Sequence, residues 1–125
     1  MNSTMRVLLV EDDPNTHELF TMVCDHFGVE LNIVVDEAGV MAVLNDQRPD
    51  VIVMDIFLPD TDGYKLLQTI RAAQPGLNCP VIATTAYYTT DTMHEVLEAG
   101  FSGYLLKPLD PQQIFPYLQQ MVAGQ

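Results

Sequence analysis

What most limits the fold of this chain is a set of short apolar runs that stop at polar residues. Val51-Ile52-Val53-Met54 is the sharpest: three β-branched residues and a methionine, ending at Asp55. A run of that length and composition reads as a strand buried on both faces, as in a parallel sheet. Arg6-Val7-Leu8-Leu9-Val10, ending in Glu11-Asp12-Asp13, reads the same way. So do Pro80-Val81-Ile82-Ala83-Thr84-Thr85 and Gly103-Tyr104-Leu105-Leu106, the latter ending at Lys107-Pro108; Leu31-Asn32-Ile33-Val34-Val35 is the remaining strand. Segments of helical period lie between them. Asp13-Pro14 supplies an N-cap and a first-turn proline for a helix with Leu19, Phe20, Val23 and Phe27 on its apolar face and Gly28 at its end. Asp36 caps a helix carrying Val40, Met41 and Leu44, and another starts near Gly63 with Leu66, Leu67 and Ile70 inward. Thr92-Met93-His94-Glu95 has capping-box spacing for a helix that starts there or near Thr89, buries Val96 and Leu97, and stops at Gly100. Asp110-Pro111 opens the last helix, with Ile114, Leu118, Met121 and Val122 inward and Pro116 inside, where it costs a backbone hydrogen bond. Five βα units in succession imply a doubly wound α/β fold, a five-stranded parallel sheet with helices on both faces.

The 125 residues suit one domain, 1–125, with a core over about 5–122. Seventeen acidic residues against 5 basic ones give a net charge of −12. Phosphate binding needs Lys and Arg, so this balance argues against nucleic acid or an anionic membrane as a direct partner. It favours cations or basic protein surfaces. Cys24 and Cys79 have no CxxC spacing and read as reduced packing thiols. The N-terminus lacks a signal-peptide pattern, and no apolar run approaches the roughly 18 residues of a membrane span. The expected location is the cytoplasm.

Four of the five expected strands end in a chemical handle: Glu11-Asp12, Asp55, Thr85 and Lys107. In a parallel sheet those ends lie on one side, the side where ligands bind in open α/β folds. Polar residues follow strands in any protein, and that explains one or two of them. It does not account for three carboxylates, a hydroxyl and one of only 5 bases. Two carboxylates at about 4 Å repel by about 4 kcal/mol at an effective dielectric near 20, so the group calls for a divalent cation. Oxygen ligands without a His or Cys cluster favour Mg²⁺ or Mn²⁺. Lys107 adds a point charge for a phosphoryl group, Thr85 a hydroxyl donor, and an aspartate beside a metal is an available nucleophile. The pattern points to phosphoryl transfer onto Asp55.

These residues carry a resemblance. Leu8 to Asp13, Met54-Asp55 through Leu58-Pro59 and Asp62-Gly63, Thr85-Ala86, and Gly103 to Pro108 together resemble the receiver domain of the two-component response regulators over essentially the whole chain. Each motif alone is weak; all of them in order at the family's separations are specific. The resemblance implies a flavodoxin-like fold with strand order 2-1-3-4-5. It makes Asp55 the phosphoacceptor, and Asp12, Asp55 and the backbone carbonyl of Phe57 direct Mg²⁺ ligands, with Glu11 acting through water. Thr85 and Lys107 would contact the phosphoryl group, Tyr104 is the aromatic switch, and the Lys107-Pro108 peptide is expected to be cis. A sensor histidine kinase or a histidine phosphotransfer protein would donate the phosphoryl group. A downstream protein would read the surface of the last two strands and helices. Such a chain is a switch, not a classical enzyme, though it catalyses its own phosphorylation and slow dephosphorylation.

Some features depart from the common pattern. Phe57 and Tyr87, two residues after Asp55 and Thr85, are aromatic, and both positions influence how water reaches the acyl phosphate in the family. After Asp110 no charged side chain remains, which argues against a charged dimer on the last two helices. The chain is either a stand-alone receiver or a piece of a longer protein. Asp13 is a helix cap before it is a metal ligand, and Asp60-Thr61-Asp62-Gly63 is a turn and cap, lacking the other ligands of a calcium loop. His17 and His94 are expected on exposed helix surfaces. An inactive docking module of the same fold is the alternative, disfavoured by the intact set of acids, Thr85 and Lys107. A phosphatase using an aspartate nucleophile needs a second Asp where Phe57 stands. A flavin carrier needs a phosphate loop where Glu11-Asp12-Asp13 would repel one.

Overall fold

A computed structural model describes residues 4–86 and 89–124. Five parallel strands, β1 (Arg6–Val10), β2 (Glu30–Val34), β3 (Val51–Asp55), β4 (Val81–Thr85) and β5 (Gly103–Leu106), form one sheet in the order β2-β1-β3-β4-β5. Helices α1 (Pro14–Phe27), α2 (Glu37–Asp46), α3 (Gly63–Ala73), α4 (Thr90–Glu98) and α5 (Pro111–Ala123) follow the strands in turn. The expected doubly wound α/β fold and the 2-1-3-4-5 order are both present. No described helix is long and apolar enough to cross a membrane.

Alternation along each strand divides the core. Leu8, Val10, Ile52, Met54, Val81 and Ala83 face α2, α3 and α4, where Val40, Leu66, Leu67, Ile70 and Val96 meet them. Val7, Leu9, Val51, Val53 and Ile82 face the other way, onto Phe20 and Val23 of α1 and Ile114 and Leu118 of α5. The three central strands are continuously apolar because both faces are covered. The edge strand β2 is only half-buried, which its polar Asn32 already suggests.

Several local expectations need correction. Strand β2 ends at Val34, and Val35 is exposed. Of the two starts expected for α4, the earlier is present: Thr89 caps it, its side chain accepting from the Thr92 N–H at 3.1 Å, and the Thr92–Glu95 capping box does not form. Leu97 is 49% exposed: Val96 takes the buried position, and a neighbour 100° around the helix turns away from it. Phe27 is half-exposed, at the end of α1, with its ring stacked on Phe115 of α5 at 4.0 Å. His17 is half-buried, and its Nε2 meets the Glu11 carbonyl.

Candidate functional site

The strand alternation aims three side chains at one place. Glu11 continues the β1 positions that face α1 and α5, Asp55 continues those of β3, and Lys107 continues Leu105 of β5. They meet above the C-terminal edge of the sheet. Lys107 Nζ lies 2.8 Å from Glu11 Oε1 and 3.4 Å from Asp55 Oδ2. Glu11 is fully buried, Asp55 nearly so, and Asp12 is exposed beside them. Carboxylate oxygens of Glu11, Asp12 and Asp55 all come within 4.8 Å of one another. One ammonium, against two of the carboxylates, stands in a cluster of three, so the cluster is short of positive charge.

Backbone groups hold the carboxylates in place. The N–H groups of Asp12 and Asp13 point at Glu11 Oε2, at 3.2 and 3.4 Å. The Phe57 N–H donates to Asp55 Oδ1 at 2.9 Å. The loop after β3 closes through an antiparallel bridge between Phe57 and Asp62, and Asp62 then caps α3 by accepting from the Lys65 N–H. Asp13 caps α1 through the Asn15 N–H, and it stands outside the three-carboxylate cluster.

Burial above all, then a hydrogen bond shared with Asp55, pushes the Glu11 carboxyl up to about 7, against the pull of Lys107. Burial opposes the Lys107 ammonium, yet the hydrogen bonds and charges of Glu11 and Asp55 outweigh it and raise its pKa. An acid with a raised folded pKa binds its proton more tightly folded than unfolded. Between its ordinary 4.5 and about 7 the folded chain therefore holds a proton that the unfolded chain lacks. Stability without divalent cation should fall as pH rises through that window, by roughly 3 kcal/mol. Glu11→Gln, which cannot ionise, should flatten this fall. Thermal melts in a chelating buffer across the window check it, and a parent whose melting point holds steady there would refute it.

The remaining expected residues are placed as follows. Thr85 is buried at the end of β4, on the α2–α4 face, and its carbonyl accepts from the Lys107 N–H at 2.9 Å. Tyr104 is half-buried on β5 against the same face, and its N–H donates to the Tyr117 hydroxyl of α5 at 3.1 Å. A Cβ at position 103 would collide with that hydroxyl, so Gly103 is what lets α5 approach β5. The Lys107–Pro108 peptide is cis. Phe57 is 57% exposed beside the cluster, while Tyr87 lies outside the described residues. Two features were missed from sequence. The His17 ring sits against the Glu11 carbonyl, a contact made only when α1 folds back over the end of β1. Thr84 lies in the same row as Asp55, which the alternation could have revealed.

Known proteins resemble this chain in sequence and in fold. Residues 7–119 match the model of the response regulator receiver domain. An uncharacterised 14.6 kDa protein of Leptolyngbya boryana is 31% identical over 116 residues, 93% of this chain and 88% of its own length. The DNA-binding response regulator MtrA of Mycolicibacterium smegmatis is 31% identical over 111 residues, 87% of this chain but 46% of its own length. This chain thus spans less than half of that relative. The receiver domain of a Pseudomonas aeruginosa sensor histidine kinase, solved with a magnesium ion coordinated in its active-site cleft, superposes with a TM-score of 0.84. It is 31% identical, and the alignment covers 97% of this chain and 99% of that one. On its sequence and its fold alike, the chain belongs to the receiver domain family of the two-component response regulators.

Proposed function

We propose that this chain is a phosphorylation-operated switch in which Asp55 accepts a phosphoryl group from a histidine kinase or a histidine phosphotransfer protein. One observation carries it: three carboxylates within 4.8 Å of one another, with the Lys107 ammonium against two of them. The donor set suits Mg²⁺ or Mn²⁺, being hard oxygens with one exposed member, Asp12, open to water. Glu11 through water, Asp12, Asp55 and the Phe57 carbonyl would hold the ion. A bound ion would offset the negative charge of the incoming phosphoryl oxygens.

In the transfer, an Asp55 carboxylate oxygen attacks phosphorus. The P–N bond of the donor phosphohistidine breaks, and its electron pair stays on the imidazole. The product is an acyl phosphate on Asp55. Lys107 moves its ammonium onto a phosphoryl oxygen, and the Thr85 hydroxyl donates to another. Tyr104 follows Thr85 inward. The surface of β4, β5, α4 and α5 is thereby biased toward a partner-binding state. Hydrolysis ends the signal: water attacks phosphorus, the P–O bond to Asp55 breaks, and the carboxylate and inorganic phosphate remain. The chain is thus a signalling domain that catalyses its own modification. Two free cysteines fit a cytoplasmic setting.

Incubation with Mg²⁺ and acetyl phosphate, followed by intact-mass measurement, should show one added phosphoryl group that Asp55→Asn lacks. An unchanged mass would leave a docking module of the same fold. Steady phosphate release from unrelated monoesters would mean a phosphatase.

Phe57 bears on how long the signal lasts. Its exposed ring stands two residues after Asp55, and Tyr87 holds the corresponding position after Thr85. The exposed Phe57 ring beside the cluster would screen attacking water, and Tyr87 is proposed from its sequence position alone to help. The Phe57→Asn, Tyr87→Glu double variant should lose its phosphoryl group severalfold faster than the parent in a decay assay. A lifetime that shortens only marginally would sink the screening role.

A further inference from the structure

We infer that Thr84 is a positioning residue for Lys107: its buried hydroxyl receives the ammonium once the phosphoryl group draws it away from Glu11. The inference rests on Asp55 being the phosphoacceptor. Thr84 is fully buried, and its Oγ1 has no hydrogen-bond partner among the described residues. A hydroxyl left that way is costly, whereas valine has the same shape and no such cost. The neighbouring Thr85 does not share this position, since successive strand residues face opposite sides of the sheet.

Register places Thr84 beside the chemistry. Asp55 on β3 pairs with Thr84 on β4, and Thr84 pairs with Leu105 on β5. In-register residues of a parallel sheet face the same side, and Ile82, two residues before Thr84, faces α1 and α5. Lys107 starts beyond the end of β5, yet its ammonium ends between Asp55 of β3 and Glu11 beyond β1. Strand β4 stands between, so the lysine stem has to cross it. The β4 side chain on that face at that level is Thr84.

An ammonium has three donors, and a threonine hydroxyl has two acceptor lone pairs. In the resting chain two of the three donors are directed at Glu11 and Asp55. When the ammonium turns to a phosphoryl oxygen, the donor withdrawn from Glu11 needs a new acceptor in a dry place. Thr84 Oγ1 is the unpartnered polar atom in the path of the stem. A hydrogen bond there holds the ammonium on the phosphoryl side of the cluster.

The test is a substitution series on the whole chain, read by melting and by the rate of phosphoryl addition from acetyl phosphate with Mg²⁺. Thr84→Val should melt about 3 °C higher than the parent, having shed a buried unpaired hydroxyl. It should take up the phosphoryl group about tenfold more slowly, the loss of one charge-assisted hydrogen bond. Thr84→Ser should recover most of that rate. In a Lys107→Met background, Thr84→Val should cause no further loss of rate, because it acts through the ammonium. Phosphorylation of Thr84→Val at the parent rate would overturn the inference and leave Asp55 as the acceptor. An equal loss in the Lys107→Met background would also overturn it. A parent chain that takes up no phosphoryl group would overturn this inference together with the proposed switch.

Discussion

Lys107→Met should melt about 10 °C below the parent chain and take up a phosphoryl group about a hundredfold more slowly. Methionine keeps an unbranched apolar stem of similar reach, so the cover over β4 survives and the charge alone is lost. That charge lies 2.8 Å from a fully buried carboxylate and 3.4 Å from one that is 9% exposed. Removing one member of a fully buried pair costs roughly 3–5 kcal/mol, because the other is left uncompensated. Lys107 is 21% exposed, so water screens part of this and about 2–3 kcal/mol is the better figure. The rate falls for a separate reason: the ammonium is the fixed positive charge facing the oxygens where negative charge gathers, and loss of one such group costs about 10²-fold or more. Added Mg²⁺ should recover part of the melting temperature, since it supplies charge to the same carboxylates. Thermal melts with and without Mg²⁺, and the initial rate of mass gain from acetyl phosphate, measure the two effects. A variant that melts with the parent would show that the Lys107–Glu11 contact contributes no net stability.

Gly63→Ala should destabilise the chain by about 3 kcal/mol and blunt phosphorylation at the same time. Helices usually gain from such a change. Here a methyl group would lie 2.7 Å from the Cα of Ile56, 3.0 Å from its Cγ2 and 3.2 Å from its Cβ. The first of these is backbone and cannot rotate away. Gly63 also donates its N–H to the Ile56 carbonyl at 2.9 Å, so the start of α3 is clamped directly onto the residue after Asp55. Relief of the clash has to move the 56–62 loop, and that loop carries the Phe57 N–H that holds Asp55 Oδ1. Stability and phosphorylation should therefore fall together. Gly100→Ala is the useful comparison: there a methyl group would meet only Leu67 Cδ2, at 3.6 Å, and the cost comes from a φ of +108°. It should destabilise the chain and leave phosphorylation intact. Urea unfolding with the acetyl phosphate assay separates the cases. A Gly63→Ala chain of parental stability would show that the backbone accommodates the methyl group.

The elements most legible from sequence were those with strong local signals. Asp13-Pro14 and Asp110-Pro111 both open helices, with the aspartates accepting from Asn15 and Gln112. Gly28 ends α1 with a φ of +68°, a conformation glycine adopts without steric cost. Legibility failed where signals competed. Thr92-to-Glu95 and Thr89 both offered a start for α4, and only the structure chose Thr89, three residues earlier. Leu97 looked like core by composition, yet helix phase turned it outward once Val96 was inside. His17 looked like a surface residue, because nothing local to α1 records that the end of β1 lies against it.

The candidate site divides along the same line. Sequence alone determined that five strands end at one edge and that acids, a threonine and a lysine stand at those ends, because apolar period and turn residues are local signals. It could not say how their side chains meet. Lys107 reaches Asp55 across 52 residues of chain, and it pairs more closely with Glu11, a residue the sequence offered only as a metal ligand. Nor did it single out Thr84 from Thr85, two like residues side by side. Strand order and register decided both, since they determine which side chains share a row and which face of the sheet each takes. The tertiary structure thus turned a list of polar strand ends into one ammonium serving two buried carboxylates, with an unpartnered hydroxyl beside its path.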